Sequence, residues 1–500
     1  MASTSMQPPN YTELLMPEGH SAENRPLIPK DTPQKFTTSS RYNDVWASIL
    51  FGLNLVVFGG LNIFSFKTYA SNTFHGAAQG QASFIDHSLT VLILSSIFVS
   101  FGLAFGYFVL IQRQTSLLVK SSFLLSVALV FAIGVTQLLG GSLFWGGLNI
   151  FVGVIILLCY NLWAARMRMA VLLLQTVSSV TRRYPGTLAV AISGLFTQIL
   201  WSSLWIFSLA INYSVFQKIS NCHTDSDGKA VCESYELPVV MTYLAFVMFW
   251  NSEVIKNVVH TTISGVFAAY YFLEGSAQGM PSSPTLTSGK RALTTSFGSV
   301  CFGSLLIALL QTLRYVLNSA RSDSDDGFAA FIAMCADCIL SCLEGLFEIF
   351  NKFAFTQVAM YGKPFIVAAK DTWELIKDRG VDAIVNDSLV GNVLGMGALL
   401  VAILSGLYGY LFLKIVRPSF AEGDEMATVV VVLVEMVLGA VMISIPNNVL
   451  DSGVTTTFVA LAEDPEALHR TKPELYQAFV EEYPQVRYNV RGLQTQDGHH

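Results

Sequence analysis

The segment WNSEVIKNVVHTTISGVFAAYYF (residues 250–272) has the length and most of the apolar content of a membrane-spanning helix. Three ionisable residues interrupt it, namely Glu253, Lys256 and His260. A charged side chain at the centre of a bilayer costs about 2.5–3.5 kcal/mol on insertion scales. A group that is kept despite this cost usually faces a cavity or a partner. The segment therefore predicts a helix that turns one polar face to the interior of a membrane bundle.

The composition of the 500 residues indicates a polytopic membrane protein. Apolar residues make up 52% and charged residues 13%, against roughly 45–50% and about 25% in soluble domains. Apolar runs of about 20 residues are long enough to cross the hydrocarbon core. We predict an all-α fold with about ten transmembrane helices, centred on 45–66, 89–112, 116–138, 144–165, 187–212, 238–272, 295–317, 328–351, 389–415 and 426–446.

The distribution of Lys and Arg orients these spans. With the N-terminus inside, twelve basic residues fall in cytosolic loops and six on the opposite side, as the positive-inside rule favours. Both termini are then cytosolic. Residues 1–43 are polar, rich in Pro, Ser and Thr, and lack the apolar region of a signal peptide, which predicts a disordered tail. We place the ten-span bundle at 44–447 and a C-terminal tail at 448–500.

The predicted extracellular loop 213–237 contains Cys222 and Cys232 in the segment NCHTDSDGKAVC. A disulfide between them would close a hairpin outside the cell; the alternative is two free thiols. Asn212 begins an Asn-Tyr-Ser sequon on the same side and is a candidate glycosylation site, although it lies close to the bilayer.

Two predicted cytosolic segments, 166–183 and 363–388, are amphipathic at helical spacing. Each could lie along the inner leaflet. The alternative is a helix that packs beneath the bundle. In both cases the segment would brace the cytosolic end and would not bind substrate.

Polar residues of several spans share narrow faces at 100° per residue. In span six the face comprises Glu253, Lys256, Asn257 and His260, with Trp250 at its border. In span eight it comprises Asp337, Ser341, Glu344 and Glu348. Span seven adds Gln311 and Arg314 beside Tyr315, and span five adds Gln198.

These charges have two interpretations. Glu253 could neutralise Lys256, and Arg314 an acid of span eight, so that the pairs only hold helices in register. Acids nevertheless outnumber bases inside the spans, with Glu435 as a further example. Unpaired acids suit a cation or a proton, and nearby aromatic rings suit a quaternary ammonium through cation–π interaction.

Several functional classes are disfavoured. The chain has no G-x-S-x-G, H-E-x-x-H or Walker motif, so we expect neither an enzyme nor a cofactor or metal requirement. It has no basic patch with interleaved aromatics, which disfavours nucleic-acid binding. A secondary transporter, a channel, and a lipid-handling or membrane-organising protein remain.

Several segments resemble the choline transporter-like family. Residues 250–272 share with its sixth helix a Trp, a Ser-Glu pair, a small residue followed by Gly, and a Tyr-Tyr-Phe end. The Ser-Phe-Gly-Ser and Gln-x-x-Arg of 296–314 are similar to the next helix, and 351–391 to the segment with Tyr-Gly and Ala-Ala-Lys. FVALAEDPEALHR (458–470) resembles the fungal "pH nine-sensitive" branch. The likeness covers about residues 43–470.

The resemblance implies ten spans, cytosolic termini and facilitative or proton-linked transport of choline and related amines at the plasma or an organellar membrane. By position, Trp250, Ser252 and Glu253 match the sixth-helix motif, and Gln311 and Arg314 the seventh. Lys256 and His260 lie outside the family pattern, and the 67–88 loop lacks the cysteines of animal relatives.

We therefore expect a choline-type transporter at the plasma membrane, with a small cationic substrate, membrane lipids as its surroundings, and a cavity lined by spans six, seven and eight together with five. Glu253 would balance the ammonium or take a proton, and Gln311 would bond a substrate hydroxyl. The other candidate substrate contacts are Trp250, Tyr315 and Glu344, and His260 is a candidate for proton coupling. The alternative is a non-transporting lipid-handling or membrane-organising protein whose charges only lock helices.

Overall fold

The structure is a computed structural model that describes residues 41–73, 87–158, 160–220, 223–224, 230–231, 235–322, 327–416, 418 and 425–482. Within these ranges the chain is almost entirely helical. In chain order the helices are α1 Val45–Thr73, α2 His87–Leu139, α3 Leu143–Leu158, α4 Tyr160–Arg183, α5 Gly186–Ile219, α6 Glu236–Leu273, α7 Pro284–Leu293, α8 Phe297–Ser322, α9 Gly327–Tyr361, α10 Phe365–Val416, α11 Glu425–Glu463, α12 Pro465–Thr471 and α13 Pro473–Glu482. Two short strands, β1 His223–Thr224 and β2 Ala230–Val231, pair antiparallel between α5 and α6.

The all-helical membrane fold is confirmed, whereas the number of about ten spans is not. In the described part of the chain, seven helices are long and apolar enough to cross a membrane: α1, α2, α5, α6, α8, α10 and α11. Every predicted span overlaps a helix, but two of them merge in α2. Its 53 residues would extend about 80 Å if straight, against about 30 Å of hydrocarbon. Gln114 has non-helical angles (φ −129°, ψ 37°) and divides it.

Helix α6 lies at the centre of the bundle. It packs against α5, α7, α8, α9 and α11. From His260 to Ala269 every residue of α6 is buried. This stretch has no lipid-facing stripe, so His260 and the other polar residues within it face protein or an internal cavity.

The first amphipathic segment, 166–183, lies within α4 and packs into the bundle. Leu173, Leu174 and Val177 are fully buried, as are the polar residues Thr176 and Thr181. The helix contacts α2, α10, α11 and α13. The segment therefore packs against other helices of the bundle, and its placement along the inner leaflet stays a prediction.

The second amphipathic segment, 363–388, forms most of the first half of α10 and continues without a break into the predicted ninth span. Ala368, Thr372 and Leu375 are buried, whereas Ile366 and Trp373 are exposed. The side chains of 378–388 lie outside the described residues. The segment therefore extends a membrane helix beyond the apolar stretch.

Residues Asn43 and Asp44 tie the start of α1 to the ends of three other helices. Asp44 Oδ2 accepts hydrogen bonds from the backbone N–H of Phe365 (2.7 Å) and from Ser299 Oγ (2.6 Å). Asn43 Nδ2 donates to the carbonyl of Gly362 (2.7 Å). Since Phe365 begins α10, Asp44 caps that helix from a distant part of the chain.

Helix α11 continues past the predicted end of the bundle at residue 447. It runs to Glu463 and contains Pro446 in its interior. Proline has no N–H and clashes with the carbonyl of the fourth preceding residue, so the helix lacks one backbone hydrogen bond there. Asn447 Nδ2, on the next residue, donates to Leu394 O of α10 (3.0 Å).

Helices α12 and α13 fold back onto the end of α6. Lys472 Nζ donates to the carbonyls of Tyr270 (2.7 Å) and Glu274 (2.9 Å) and lies 4.2 Å from the centroid of the Tyr270 ring. Tyr271 Oη donates to Asp464 O (3.0 Å). The segment 465–482 is therefore part of the folded bundle, and the predicted tail from 448 begins inside it.

We expect Asp44→Ala to lower the free energy of unfolding by about 2–3 kcal/mol, because two hydrogen bonds to a charged group are lost. Asp44 has φ 49°, a conformation that Asn tolerates better than most residues. Asp44→Asn keeps one acceptor oxygen and should be intermediate. Thermal unfolding in detergent would rank the three proteins, and an Asp44→Ala protein as stable as the wild type would contradict the capping role.

Lys472 gives a prediction about pH. Burial lowers the pKa of the Lys472 ammonium from 10.5 to about 8. Between about pH 8 and pH 10.5 the unfolded chain then binds more protons than the folded one, so this residue adds stability as the pH rises. We therefore expect the unfolding midpoint of the wild type, relative to that of Lys472→Met, to increase from pH 8 to pH 10. Parallel curves for the two proteins would show that Lys472 keeps an ordinary pKa.

Candidate functional site

A cavity of about 500 Å³ opens between α5, α6, α8, α9 and α11. Its lining is unusually polar for a membrane bundle. The polar lining residues are Gln198 of α5; Ser252, Glu253, Lys256, Asn257 and His260 of α6; Glu348, Asn351 and Lys352 of α9; and Ser444, Asn448, Asp451 and Ser452 of α11. The cavity lies beside the polar face of α6 that the sequence indicated.

Three carboxylates and two ammonium groups line this cavity. Lys256 Nζ is hydrogen-bonded to Glu348 Oε1 and lies 3.7 Å from Glu253 Oε1. Lys352 Nζ donates to Asp451 Oδ1 (2.6 Å). With a neutral His260 the lining carries a formal charge of −1. Because both lysines are already engaged with acids, the formal excess charge of the lining is negative, which would favour a cation over an anion.

Glu253 is the most buried of the three carboxylates, with 7% of the residue exposed. Its Oε2 accepts from Asn257 Nδ2 (3.3 Å), which also donates to Ser304 Oγ (3.0 Å). Lys256 bonds directly to Glu348 and is farther from Glu253. Lys256 therefore neutralises Glu253 only partly. Of the three carboxylates, Glu253 is the one whose attraction for a bound cation is least weakened by water and by a neighbouring ammonium.

His260 lies at the junction of α6, α9 and α11. Its Nδ1 is 2.9 Å from Ser452 Oγ, and its Nε2 is 3.1 Å from the carbonyl of Lys352 and 3.2 Å from Thr356 Oγ1. A backbone carbonyl only accepts, so the contact with Lys352 O assigns a proton to Nε2. Nδ1 is then the nitrogen that takes up a second proton, and it is held by the Ser452 hydroxyl on the cavity wall.

Trp250 does not line the cavity. It is 1% exposed, donates from Nε1 to Cys301 O (3.1 Å), and packs against Phe51 (ring centroids 5.2 Å apart) and Phe246 (5.4 Å). Its ring fills an apolar cluster between α1, α6 and α8. In this conformation Trp250 is a packing residue and offers no face to a substrate.

The candidate substrate contacts of spans seven and eight, namely Gln311, Tyr315 and Glu344, also lie apart from the cavity, whereas Glu348 lines it. Arg314 of α8 donates from Nε to Asp337 Oδ1 (2.9 Å) and from Nη1 to Glu344 Oε2 (2.5 Å), which joins α8 to α9. Gln311 is half-buried and Tyr315 is 38% exposed, and neither is among the lining residues. Arg314 and its two acids therefore neutralise one another between α8 and α9, as one of the two interpretations predicted.

Sequence reasoning missed the contribution of α11. On α11 the positions i, i+3 and i+4 hold Asn448, Asp451 and Ser452. This helical spacing is the same pattern that identified the polar face of α6. The predicted span ended at 446, however, so these residues fell in the tail. Gln198, which the sequence analysis did include, lines the cavity from α5 and donates to Ser252 Oγ of α6 (2.9 Å).

The modification sites predicted in and beside the loop 213–237 have different outcomes. Asn212 is fully buried; its Oδ1 accepts from Ser65 Oγ (2.7 Å) and its Nδ2 donates to Ser208 O (2.8 Å). A glycan needs an exposed amide, so this placement weighs against glycosylation there. Cys222 and Cys232 lie outside the described residues, and their disulfide stays a prediction.

Comparison with known proteins adds an independent observation. The family model described as "Plasma-membrane choline transporter" matches residues 148–466, which include the whole cavity lining. Protein PNS1 of Gibberella zeae is 33% identical over 460 residues, covering 90% of this chain and 84% of the relative. Protein pns1 of Aspergillus fumigatus is 31% identical (90% and 85%), and Protein PNS1 of Mycosarcoma maydis is 30% identical (96% and 88%).

These matches extend over most of the chain and confirm the resemblance drawn from the helix motifs. They support a multi-pass membrane protein with a transporter role. The chain therefore belongs to the choline transporter-like family, together with the fungal PNS1 proteins.

Proposed function

We propose that this protein carries a small organic cation of the choline or ethanolamine type across the plasma membrane, by facilitated or proton-coupled transport. The observation that supports this most directly is the cavity with three carboxylates and two ammonium groups. Its volume of about 500 Å³ lies in the range of about 300–1,000 Å³ that is usual for small-molecule sites. A monovalent cation would bring the formal charge of the site to zero.

We expect cation binding to depend most on Glu253. It is buried and only partly neutralised, and a charge interaction is stronger where water is excluded. A quaternary ammonium has no N–H to donate, so its charge would be held by Coulomb attraction and not by hydrogen bonds. A primary ammonium could also donate to Glu253 or Asp451. With Trp250 outside the cavity, the carboxylates and not an aromatic cage would provide recognition.

The two ion pairs in the cavity suggest how binding could be linked to movement. Lys256–Glu348 joins α6 to α9, and Lys352–Asp451 joins α9 to α11. A substrate cation near Glu348 or Asp451 competes with these lysines for the same carboxylates. Substrate binding would therefore weaken contacts between helices and favour the conformation in which those helices separate.

A second candidate function rests on the same ion pairs. Arg314, Lys256 and Lys352 each join two helices, as a non-transporting lipid-handling or membrane-organising protein would also require. Calorimetric titration of the detergent-purified protein with choline and ethanolamine separates the two. Binding that Glu253→Gln abolishes supports transport, and a stable protein that binds neither amine supports the structural role.

In proteoliposomes we expect Glu253→Gln to raise the KM for labelled choline or ethanolamine at least tenfold, which corresponds to about 1.4 kcal/mol. Glu344→Gln is the matched control, because it removes a similar carboxylate that pairs with Arg314 away from the cavity. Its KM should change less than twofold when uptake is normalised to reconstituted protein. Equal effects of the two substitutions would argue against the cavity as the substrate site.

His260 leads to a prediction about proton coupling. If a proton on Nδ1 accompanies transport, uptake should vary between pH 5 and pH 8, where histidine ordinarily titrates. His260→Gln keeps hydrogen-bonding groups toward Ser452 and Thr356 but cannot be protonated. Its uptake should be independent of pH in that interval. A pH profile that His260→Gln leaves unchanged would assign any coupling to another group.

A further inference from the structure

Glu435 of α11 is a buried carboxyl that does not belong to the cavity. The residue is 3% exposed, and it lies where α11 packs against α2 and α10. The neighbouring backbone of α10 is very close: a Cβ atom at Gly409 would lie 2.5 Å from Glu435 Cγ. The glycine thus leaves just enough space for this side chain.

The hydrogen bonds around Glu435 favour a protonated carboxyl. Ser96 Oγ of α2 lies 2.6 Å from the carbonyl of Leu92 and 2.5 Å from Glu435 Oε1. A serine hydroxyl has one proton, and a backbone carbonyl only accepts. Ser96 can donate at full strength to only one of the two oxygens, so both contacts are strong when Ser96 donates to Leu92 and a protonated carboxyl donates to Ser96. An ionised Glu435 would leave two acceptors competing for a single proton.

The surrounding charges lead to the same conclusion. On α2 and α10 the basic residues with described side chains are Arg113, Lys120, Lys370, Lys377 and Lys414, and none of them forms an ion pair with Glu435. Glu435 Oε2 is buried and has no hydrogen-bond partner in the described structure. An isolated carboxylate in such surroundings is very costly, and a buried acid usually avoids this cost by remaining neutral.

The contacts next to Glu435 keep water away from it. Ser100 Oγ of α2 lies 3.0 Å from Ser405 Oγ of α10. A Cβ atom at Gly439, one turn along α11, would lie 2.5 Å from Ser405 Oγ. These small residues bring the three helices close together. A proton on Glu435 can leave only when this contact admits water.

We propose that Glu435 is a proton-binding site separate from the cavity: its neutral carboxyl donates to Ser96 in the packed state. Release breaks the carboxyl O–H bond, transfers the proton to water, and leaves the electron pair on the carboxylate. The charged group then needs hydration, so release requires α2, α10 and α11 to separate. The bound ligand is the proton itself, and the site does not depend on the identity of the transported cation.

Infrared spectroscopy of the full-length protein in lipid nanodiscs tests this directly. At pH 7 we expect a carbonyl band of a protonated carboxyl that disappears in Glu435→Gln and moves to higher frequency in Ser96→Ala, because the carboxyl then loses its acceptor. Glu348→Gln is the control: Glu348 is paired with Lys256, so its loss should leave the band unchanged. Glu435→Gln should fold, since its amide N–H can donate to Ser96 as the acid does.

A second measurement does not rely on the substitution. Dicyclohexylcarbodiimide reacts with protonated carboxyls in apolar surroundings, and peptide mass spectrometry should find the adduct on Glu435 at pH 7. Absence of both the band and the adduct would overturn the proposal. Either result is independent of transport: a protonated Glu435 in a protein that binds no amine would refute the proposed function and leave this site standing.

Discussion

The cost of placing charge inside a membrane is the constraint on which this structure depends. Helix α6 carries Glu253, Lys256 and His260 on one face, and none of them could face lipid cheaply. The fold resolves this by surrounding α6 with other helices and by turning the polar face to α9 and α11. A central helix, a polar cavity and ion pairs between helices are three results of the same requirement.

The charged groups of the bundle are compensated in three different ways. Arg314 is satisfied by Asp337 and Glu344 at a contact between α8 and α9, where the ions serve cohesion. Around the cavity the acids exceed the bases, and the remaining negative charge is available to a ligand. Glu435 has no cation beside it in the described structure and only a hydroxyl as its partner. We propose that the same residue types serve packing around Arg314, recognition in the cavity and proton binding at Glu435, according to their surroundings.

Helical periodicity predicted much of this arrangement. The spacing of Glu253, Lys256 and His260 gave the face of α6 that borders the cavity, and the resemblance in the helix motifs is confirmed by the family match. Spacing along one helix does not reveal what covers each turn of it. Trp250 lies one turn from Glu253, but Phe51 of α1 covers it there, and only the three-dimensional packing shows this. Asp451 was missed because apolar runs locate the middle of a span better than its polar end.

Helix α11 carries two carboxyls of interest. Glu435 is buried beside Ser96, and Asp451 lies on the cavity wall beside Lys352. Glu435 and Asp451 are separated by about 24 Å of helix, and Pro446 lies between them. The missing backbone hydrogen bond at the proline makes that position the easiest place for α11 to bend. A change in the angle between the two halves of α11 alters the position of Glu435 relative to Asp451. A bend at Pro446 would thus link the contact of Glu435 with α2 to the Asp451 end of the cavity.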